Sequence, residues 1–371
     1  MTAHRVIAAS AEARAWFALA LVPELHPTKA FALAARFGGP DGVIGASHGA
    51  LVAAGLSADV ARRIVSAAGL VAREMAALER VHARVVTWAD ADYPTVLRNI
   101  PEPPVALIVR GGLPAEDDLA IAVVGTRRAS AYARRIAEEL ARELAMTGVV
   151  VVSGLAMGVD AAAHRGALAG CGRTVAVLGT GIDKVYPSWH RELAASVAGQ
   201  GGLVTEFPCG TPPRPYNFPR RNRLISGLTR GTVVVEAAEK SGSLITASYA
   251  SLQGREVLAV PGPVGPAGQC GPHRLIQEGA RLVTCAKDVL AELEPTLVAQ
   301  LEARRAAAVV AQLTAAERRL LEALGADDRH VDDVIRTAAV PAASALETLL
   351  ALELRGLVCQ LPGKRFRRRA A

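Results

Sequence analysis

Val149-Val-Val-Val-Ser-Gly-Leu-Ala-Met-Gly-Val-Asp-Ala-Ala-Ala-His164 decides how this chain is read. The valine run has no polar alternation, which marks a strand covered on both faces. Two glycines then allow a tight turn, and the alanines beyond them begin a helix. A strand, a turn and a helix in that order is the unit of a parallel sheet.

The same pattern recurs on either side. Strands are expected at Ile121–Gly125, Val149–Ser153, Thr174–Gly179, Leu203–Phe207, Thr232–Ala237, Glu256–Pro261 and Arg281–Cys285. Helices lie between them; the one over 131–147 aligns Ile136, Leu140 and Leu144 along a single face. The fold class is therefore α/β, with a doubly wound, mostly parallel sheet. Ahead of it, 84–112 reads as extended and too rich in proline for a helix. Residues 10–80 alternate Ala-rich helices with Gly turns, and Ser57 or Asp59 is placed to cap one of them. Beyond the sheet, 294–312 is a charged helical or linker stretch. Thr314 and Glu317 form a capping box, helices follow over roughly 331–338 and 342–355, and 356–366 reads as a hairpin with a Pro-Gly turn. The expected domains are 1–83 (small, all-α), 84–293 (sheet), 294–312 (linker) and 313–371 (winged helix with a basic tail).

Bulk properties narrow the function. At 371 residues, two or three domains fit. Hydrophobic residues reach 51%, yet no run of about 18 escapes polar interruption. The opening Met1-Thr-Ala-His-Arg-Val6 has no leader pattern. Five cysteines (171, 209, 270, 285, 359) show no C-x-x-C spacing. A reduced, cytoplasmic protein without disulfides, metal or membrane contact is expected. The net charge is +7, and 120–230 holds fourteen Lys/Arg against seven Asp/Glu. The tail Lys364-Arg365-Phe366-Arg367-Arg368-Arg369 is basic too. Such a balance suits phosphate neutralisation on nucleic acid.

Five turns on one sheet edge carry the candidate site, because open α/β sheets bind ligands at the carboxyl ends of their strands. Gly125-Thr-Arg-Arg-Ala-Ser130 offers Gly125 for close approach and Arg127 or Arg128 for phosphate. Ser153-Gly-Leu-Ala-Met-Gly158 offers Ser153, Gly154, Met157 and Gly158. Gly179-Thr-Gly-Ile-Asp-Lys-Val-Tyr-Pro187 sets Lys184 beside Tyr186, a cation and a ring suited to phosphate and base. Phe218-Pro-Arg-Arg-Asn-Arg-Leu-Ile-Ser-Gly-Leu228 crowds Arg220, Arg221, Asn222 and Arg223 at a helix start. One or two of these arginines are expected to reach phosphate and another to brace the loop. Glu236-Ala-Ala-Glu-Lys-Ser-Gly-Ser-Leu-Ile-Thr246 supplies Ser241, Gly242, Ser243 and Thr246 at another helix start. No G-x-G-x-x-G follows the first strand, which disfavours NAD or FAD. Asp160 and His164 share a helix face, but read better as a helix-start carboxylate and a hydrogen-bonded imidazole than as a catalytic pair.

Those motifs, with Val260-Pro-Gly262 and Gly271–Ala280, closely resemble the DNA-processing protein A family (DprA, also called Smf). The resemblance is strong over about 85–293. It implies an extended Rossmann-like fold with no cofactor and no catalytic residue, an N-terminal unit like a sterile-alpha-motif or helix-hairpin-helix domain, and a homodimer joined near Leu275 and Ile276. It implies single-stranded DNA as ligand, with the RecA recombinase and single-strand binding protein as partners in natural transformation. The DNA pocket it picks out is Arg127, Lys184, Tyr186, Asn222 and the Ser241–Ser243 turn, with Arg221 or Arg223 nearby.

Two other readings stand beside it. One is a nucleotide-processing, phosphoribohydrolase-like enzyme using Glu236 and Glu239, although the P-G-G-x-G-T-x-x-E arrangement is missing. The other makes the winged unit a duplex-DNA regulator.

Overall fold

The valine runs become the centre of a nine-stranded sheet in this computed structural model. It describes residues 10–114, 118–311, 313–325, 328–354 and 357–368, without the side chains of 305–311, 343 and 354. The opening residues read for a leader, Gly356 at the start of the hairpin and Arg369 of the tail lie outside them. The strands are β1 (Arg84–Thr87), β2 (Ala106–Gly111), β3 (Ala120–Val124), β4 (Val150–Ser153), β5 (Thr174–Val177), β6 (Gly202–Thr205), β7 (Gly231–Val234), β8 (Glu256–Ala259) and β9 (Arg281–Leu282). Their order is β1-β2-β6-β5-β4-β3-β7-β8-β9. From β6 to β9 every pairing is parallel, whereas β2 runs antiparallel to both β1 and β6. Every residue of β3 to β7 is buried, as strands covered by helices on both faces require.

One connection positions the site. From β3 the chain steps outward through β4, β5 and β6, then returns across helix Asn217–Gly227 to lay β7 on the other side of β3. The strand order reverses there, and the carboxyl ends of β3, β4 and β7 splay around a crevice.

Five helices precede the sheet: Ala11–Ala20, Pro27–Phe37, Pro40–Ile44, His48–Ala53 and Ala58–Arg80. Ser57 caps the last by accepting from the Val60 N–H, while Asp59 pairs with Arg62 at 2.9 Å instead. Ala61, Ile64, Ala67, Val71 and Leu78 form its buried stripe. Trp16, Phe17, Leu33 and Ile64 share one apolar core with Val85, Ile108, Ala176 and Leu203 of the sheet. Among the described residues the helical segment thus shares its core with the sheet, and Met1–Pro295 forms a single compact unit. Between β1 and β2 a short helix, Thr95–Arg98, stands where proline was expected to exclude one. Pro94 sits just ahead of its first turn, where no intrahelical N–H is needed.

Thr296–Ala371 is the second unit. Helix Thr296–Ala311 opens it. Helices Ala315–Leu324, Val331–Ala338 and Ala342–Leu354 then pack with a sheet of β10 (Arg329–His330), β12 (Arg365–Arg368) and β11 (Val358–Leu361), in that order. Leu320, Leu324, Val334, Leu349, Val358 and Phe366 form its core. Both arms of the Thr314/Glu317 capping box are present. Three helices and a β-hairpin make this a winged helix. Part of its basic strand faces an acid: Arg367 forks onto the Asp328 carboxylate and Arg365 donates to the Asp328 carbonyl at 2.7 Å.

Candidate nucleic-acid interface

At the reversal point the strand ends open into a cleft of about 600 Å³. The turn after β3 contributes Gly125, Thr126, Arg127 and Arg128, and the turn after β7 contributes Ser241, Gly242, Ser243 and Thr246. Ala156 and Asp160 follow β4, Tyr186 comes from the loop after β5, and Phe218, Arg221 and Asn222 come from the returning helix. Two of the five expected turns, those after β3 and β7, supply all their predicted residues to one cleft. The loop after β5 gives Tyr186 without Lys184, and the returning helix gives Phe218, Arg221 and Asn222 without Arg220 or Arg223. The turn after β4 gives Ala156 and Asp160 in place of Ser153, Gly154, Met157 and Gly158.

The turns interlock through glycine. Gly158 has φ +77°, and a Cβ there would stand 2.2 Å from the Thr126 carbonyl oxygen. A Cβ on Gly154 would meet the Arg221 guanidinium at 2.5 Å. Arg221 is buried beneath the cleft: Nη1 donates to the Gly154 carbonyl at 2.7 Å and to the Val177 carbonyl, and Nε donates to Asn222 Oδ1 at 3.1 Å. Asn222 in turn donates to the Gly242 carbonyl at 3.0 Å, tying the returning helix to the turn after β7. Burial lowers the Arg221 pKa to about 10, with the Asp160 charge opposing and the Arg127 charge adding. The guanidinium stays charged at neutral pH. Asp160, also buried, accepts from the Gly154 and Ala156 N–H groups at 3.1 and 3.4 Å. Burial pushes its pKa up, and Arg221 pulls it back.

Above this base lie the free cations. Arg127 and Arg128 are exposed. The Arg127 guanidinium sits 4.9 Å from the centroid of the Phe218 ring, and the Tyr186 ring packs tilted against the same ring, 5.7 Å between centroids. Ser241 caps helix Gly242–Leu252, its Oγ 2.8 Å from Ser243 Oγ. The cleft thus combines exposed positive charge, aromatic faces and a hydroxyl-lined helix start, the last also favouring anions through its dipole.

Several expected residues fall elsewhere. Ser153 is buried, donating to the Val123 carbonyl at 2.7 Å, and does not line the cleft. Arg223 is buried as well: Nη2 meets Glu206 Oε2 at 2.5 Å and Nη1 donates to the Glu102 carbonyl at 2.6 Å. Arg220 pairs with Glu206 Oε1 at 2.9 Å, a close ion pair without an aligned hydrogen bond there. The arginine-rich helix start is mainly a brace, because Glu206 at the end of β6 holds two of its three guanidinium groups. Lys184 is exposed, 3.9 Å from Asp183 Oδ2, and lies outside the cleft lining. Gly154 and Met157 line an adjoining dimple that shares Tyr186 and Phe218 with the cleft. Leu275 and Ile276 sit half-buried on helix Cys270–Gln277, Leu275 against the sheet core.

Of the two carboxylates read for catalysis, Glu239 is exposed and Glu236 has a structural partner. Glu236 accepts from the Ser130 N–H at 3.2 Å and from its hydroxyl at 2.6 Å. His164 is buried with Nδ1 2.7 Å from Thr174 Oγ1, and makes no bond to Asp160. Among the described residues no group of three or more His, Cys, Asp or Glu could hold a metal, and no helix is long and apolar enough to cross a membrane. The reading missed Asp160 as a cleft residue, and it missed Pro213 and Pro215 of the loop before the returning helix. The proline density of Thr211-Pro-Pro-Arg-Pro215 was the available signal for a stiff rim there.

The model of DNA recombination-mediator protein A matches residues 84–294, and that of the DprA winged helix domain matches 304–364. The chain belongs to the DprA/Smf family. It is 42% identical to protein Smf of Escherichia coli over 298 residues, 79% of this chain and 80% of that one. It is 39% identical to DNA processing protein DprA of Bacillus subtilis, over 60% of this chain and 75% of the relative. The X-ray structure of DprA from Streptococcus pneumoniae superposes with a TM-score of 0.65 at 32% identity, covering 76% of this chain and 98% of that one. A Helicobacter pylori DprA structure, which concerns that protein's single-stranded DNA binding mode, gives 0.50 at 27% identity over 56% of this chain and 95% of its own. The family match thus extends to the winged unit, and the cleft lies within the matched 84–294 segment.

Proposed function

We propose that this DprA-family chain is a non-enzymatic, cytoplasmic recombination mediator that binds single-stranded DNA in the cleft, protects it, and hands it to RecA in place of single-strand binding protein during natural transformation. The observation that carries the DNA reading is the exposed Arg127–Arg128 pair in the cleft, Arg127 lying against the Phe218 ring that packs on Tyr186, over a hydrogen-bonded base. Successive phosphates meet the two arginines and the Ser241–Ser243 helix start, while unpaired bases find ring faces. The Helicobacter pylori relative's single-stranded DNA mode supports the same ligand class. RecA loading, displacement of single-strand binding protein and a homodimer through Leu275 and Ile276 follow from the family resemblance.

The winged unit fits duplex reading poorly. Its third helix, Ala342–Leu354, carries Glu347 and Glu353, has no cation, and exposes Leu346 and Leu350. A recognition helix in a major groove needs donors for bases and charge for phosphates.

The test is a gel shift of the full chain on oligo-dT and on a duplex of equal length, repeated across salt. Tighter binding to oligo-dT is expected, weakening steeply as salt rises. Equal or better binding to the duplex would sink the reading.

A further inference from the structure

Trp189 stands out among the three tryptophans. Trp16 is buried and Trp88 half-buried, but Trp189 is 69% exposed. A bare indole in water forgoes a large apolar gain, and tryptophan is concentrated where surfaces receive a partner. Its presentation is fixed from behind. It occupies the short turn Ser188–His190, and the next residue, His190, is buried with Nδ1 2.9 Å from the Leu155 carbonyl oxygen. The ring is therefore held outward by a rigid turn.

Its surroundings indicate the partner's chemistry. Trp189 borders a dimple of about 30 Å³ lined also by Met157, Pro187, Tyr186, Phe218 and Arg127. Arg127, Tyr186 and Phe218 also line the main cleft, so the dimple continues it. At that volume nothing the size of a nucleobase enters; the dimple is a floor over which a flat ring can lie. Met157 adds an adaptable thioether edge.

We propose that Trp189 is a stacking platform for an unpaired nucleobase whose phosphate is held at Arg127. The platform extends the DNA path beyond the cleft and rests on the single-stranded DNA reading above. It selects for exposed bases, since a paired base turns its edge rather than its face outward, and it adds no phosphate contact.

The experiment compares the full-length protein with Trp189→Ala and Trp189→Phe on oligo-dT and on an abasic oligomer of the same length. Tryptophan emission is recorded in the same titrations. The wild-type protein is expected to bind oligo-dT more tightly than the abasic strand, with quenching of an exposed indole. Trp189→Ala should bind oligo-dT about 5- to 100-fold more weakly, leave abasic binding within about twofold, and keep the slope against salt. Trp189→Phe should restore much of the affinity while abolishing the quenching.

Unchanged oligo-dT affinity in Trp189→Ala would overturn the platform and leave Trp189 as a protein contact. A uniform loss on both strands, with a flatter slope, would also overturn it by assigning the residue to phosphate binding. Failure of the wild-type protein to bind either strand would remove the DNA reading itself. These results are distinguishable because the last is seen before any variant is made.

Discussion

Helix Asn217–Gly227 and the turn after β3 both present arginines, and the structure uses them in opposite ways. Arg221 and Arg223 of the helix are buried, each donating to backbone carbonyls, and Arg223 also meets Glu206. Arg127 and Arg128 of the turn are exposed to the cleft. The denser basic motif is thus the scaffold, and the sparser one is the hand that can meet a ligand. A buried guanidinium is stable only with its donors satisfied, and once they are satisfied it has little left to offer a phosphate. The two sets therefore predict different phenotypes: loss of fold in one, loss of binding in the other.

The largest expected effect is Arg223→Ala. Its side chain and that of Glu206 are 3% and 4% exposed. Removing one partner leaves a buried carboxylate facing only Arg220, and should cost about 3–5 kcal/mol of stability. Urea unfolding checks this; a loss under about 1 kcal/mol would break the division between scaffold and hand. Arg127→Ala, by the same division, should shift the unfolding midpoint hardly at all.

Next comes an acid effect on the scaffold side. Burial, with the His190 and Arg221 charges adding, lowers the His164 pKa from 6.5 to about 3. As pH falls, the unfolded chain takes up this proton first. The stability held by neutral His164 is complete above about pH 6.5 and drains away below it at about 1.4 kcal/mol per pH unit. From pH 7 to pH 5 that amounts to about 2 kcal/mol. Urea midpoints across this range should fall in the wild-type protein, and His164→Gln should remove this part of the slope.

These two predictions concern groups whose role was hard to foresee from the chain alone. The sheet was legible, because runs such as Val149–Val152 admit few environments. The Thr314/Glu317 box was legible because its bonds are three residues apart. The turns of the cleft were legible as a set, since parallel strands put all their carboxyl ends on one edge. Burial of Arg221 and Arg223 was not, because it depends on partners far away in the chain: Gly154, Val177, Glu206 and Glu102. Ser153 misled for the same reason, its hydroxyl finding the Val123 carbonyl on the neighbouring strand. Periodicity shows that helix Ala58–Arg80 has an apolar face, but not that this face joins a core reaching the sheet.

On the binding side, Arg127→Ala should weaken oligo-dT binding about tenfold at low salt. One lost phosphate contact should also reduce the slope of log K against log salt by about 0.7 for a single strand. An unchanged slope would mean that Arg127 serves Phe218, as their 4.9 Å contact permits, rather than the ligand.

The smallest effect tests where the hand ends. Lys184 is exposed, but its ammonium is already 3.9 Å from the Asp183 carboxylate and does not line the cleft. A cation beside an acid contributes less net field to a passing phosphate, and what it contributes is screened by solvent. Lys184→Ala should therefore weaken oligo-dT binding only about twofold, with a slope change smaller than that of Arg127→Ala. A loss equal to that of Arg127→Ala would show that Lys184 leaves Asp183 when DNA arrives. The DNA path would then run along the loop after β5, past Tyr186, as well as over the turn after β3.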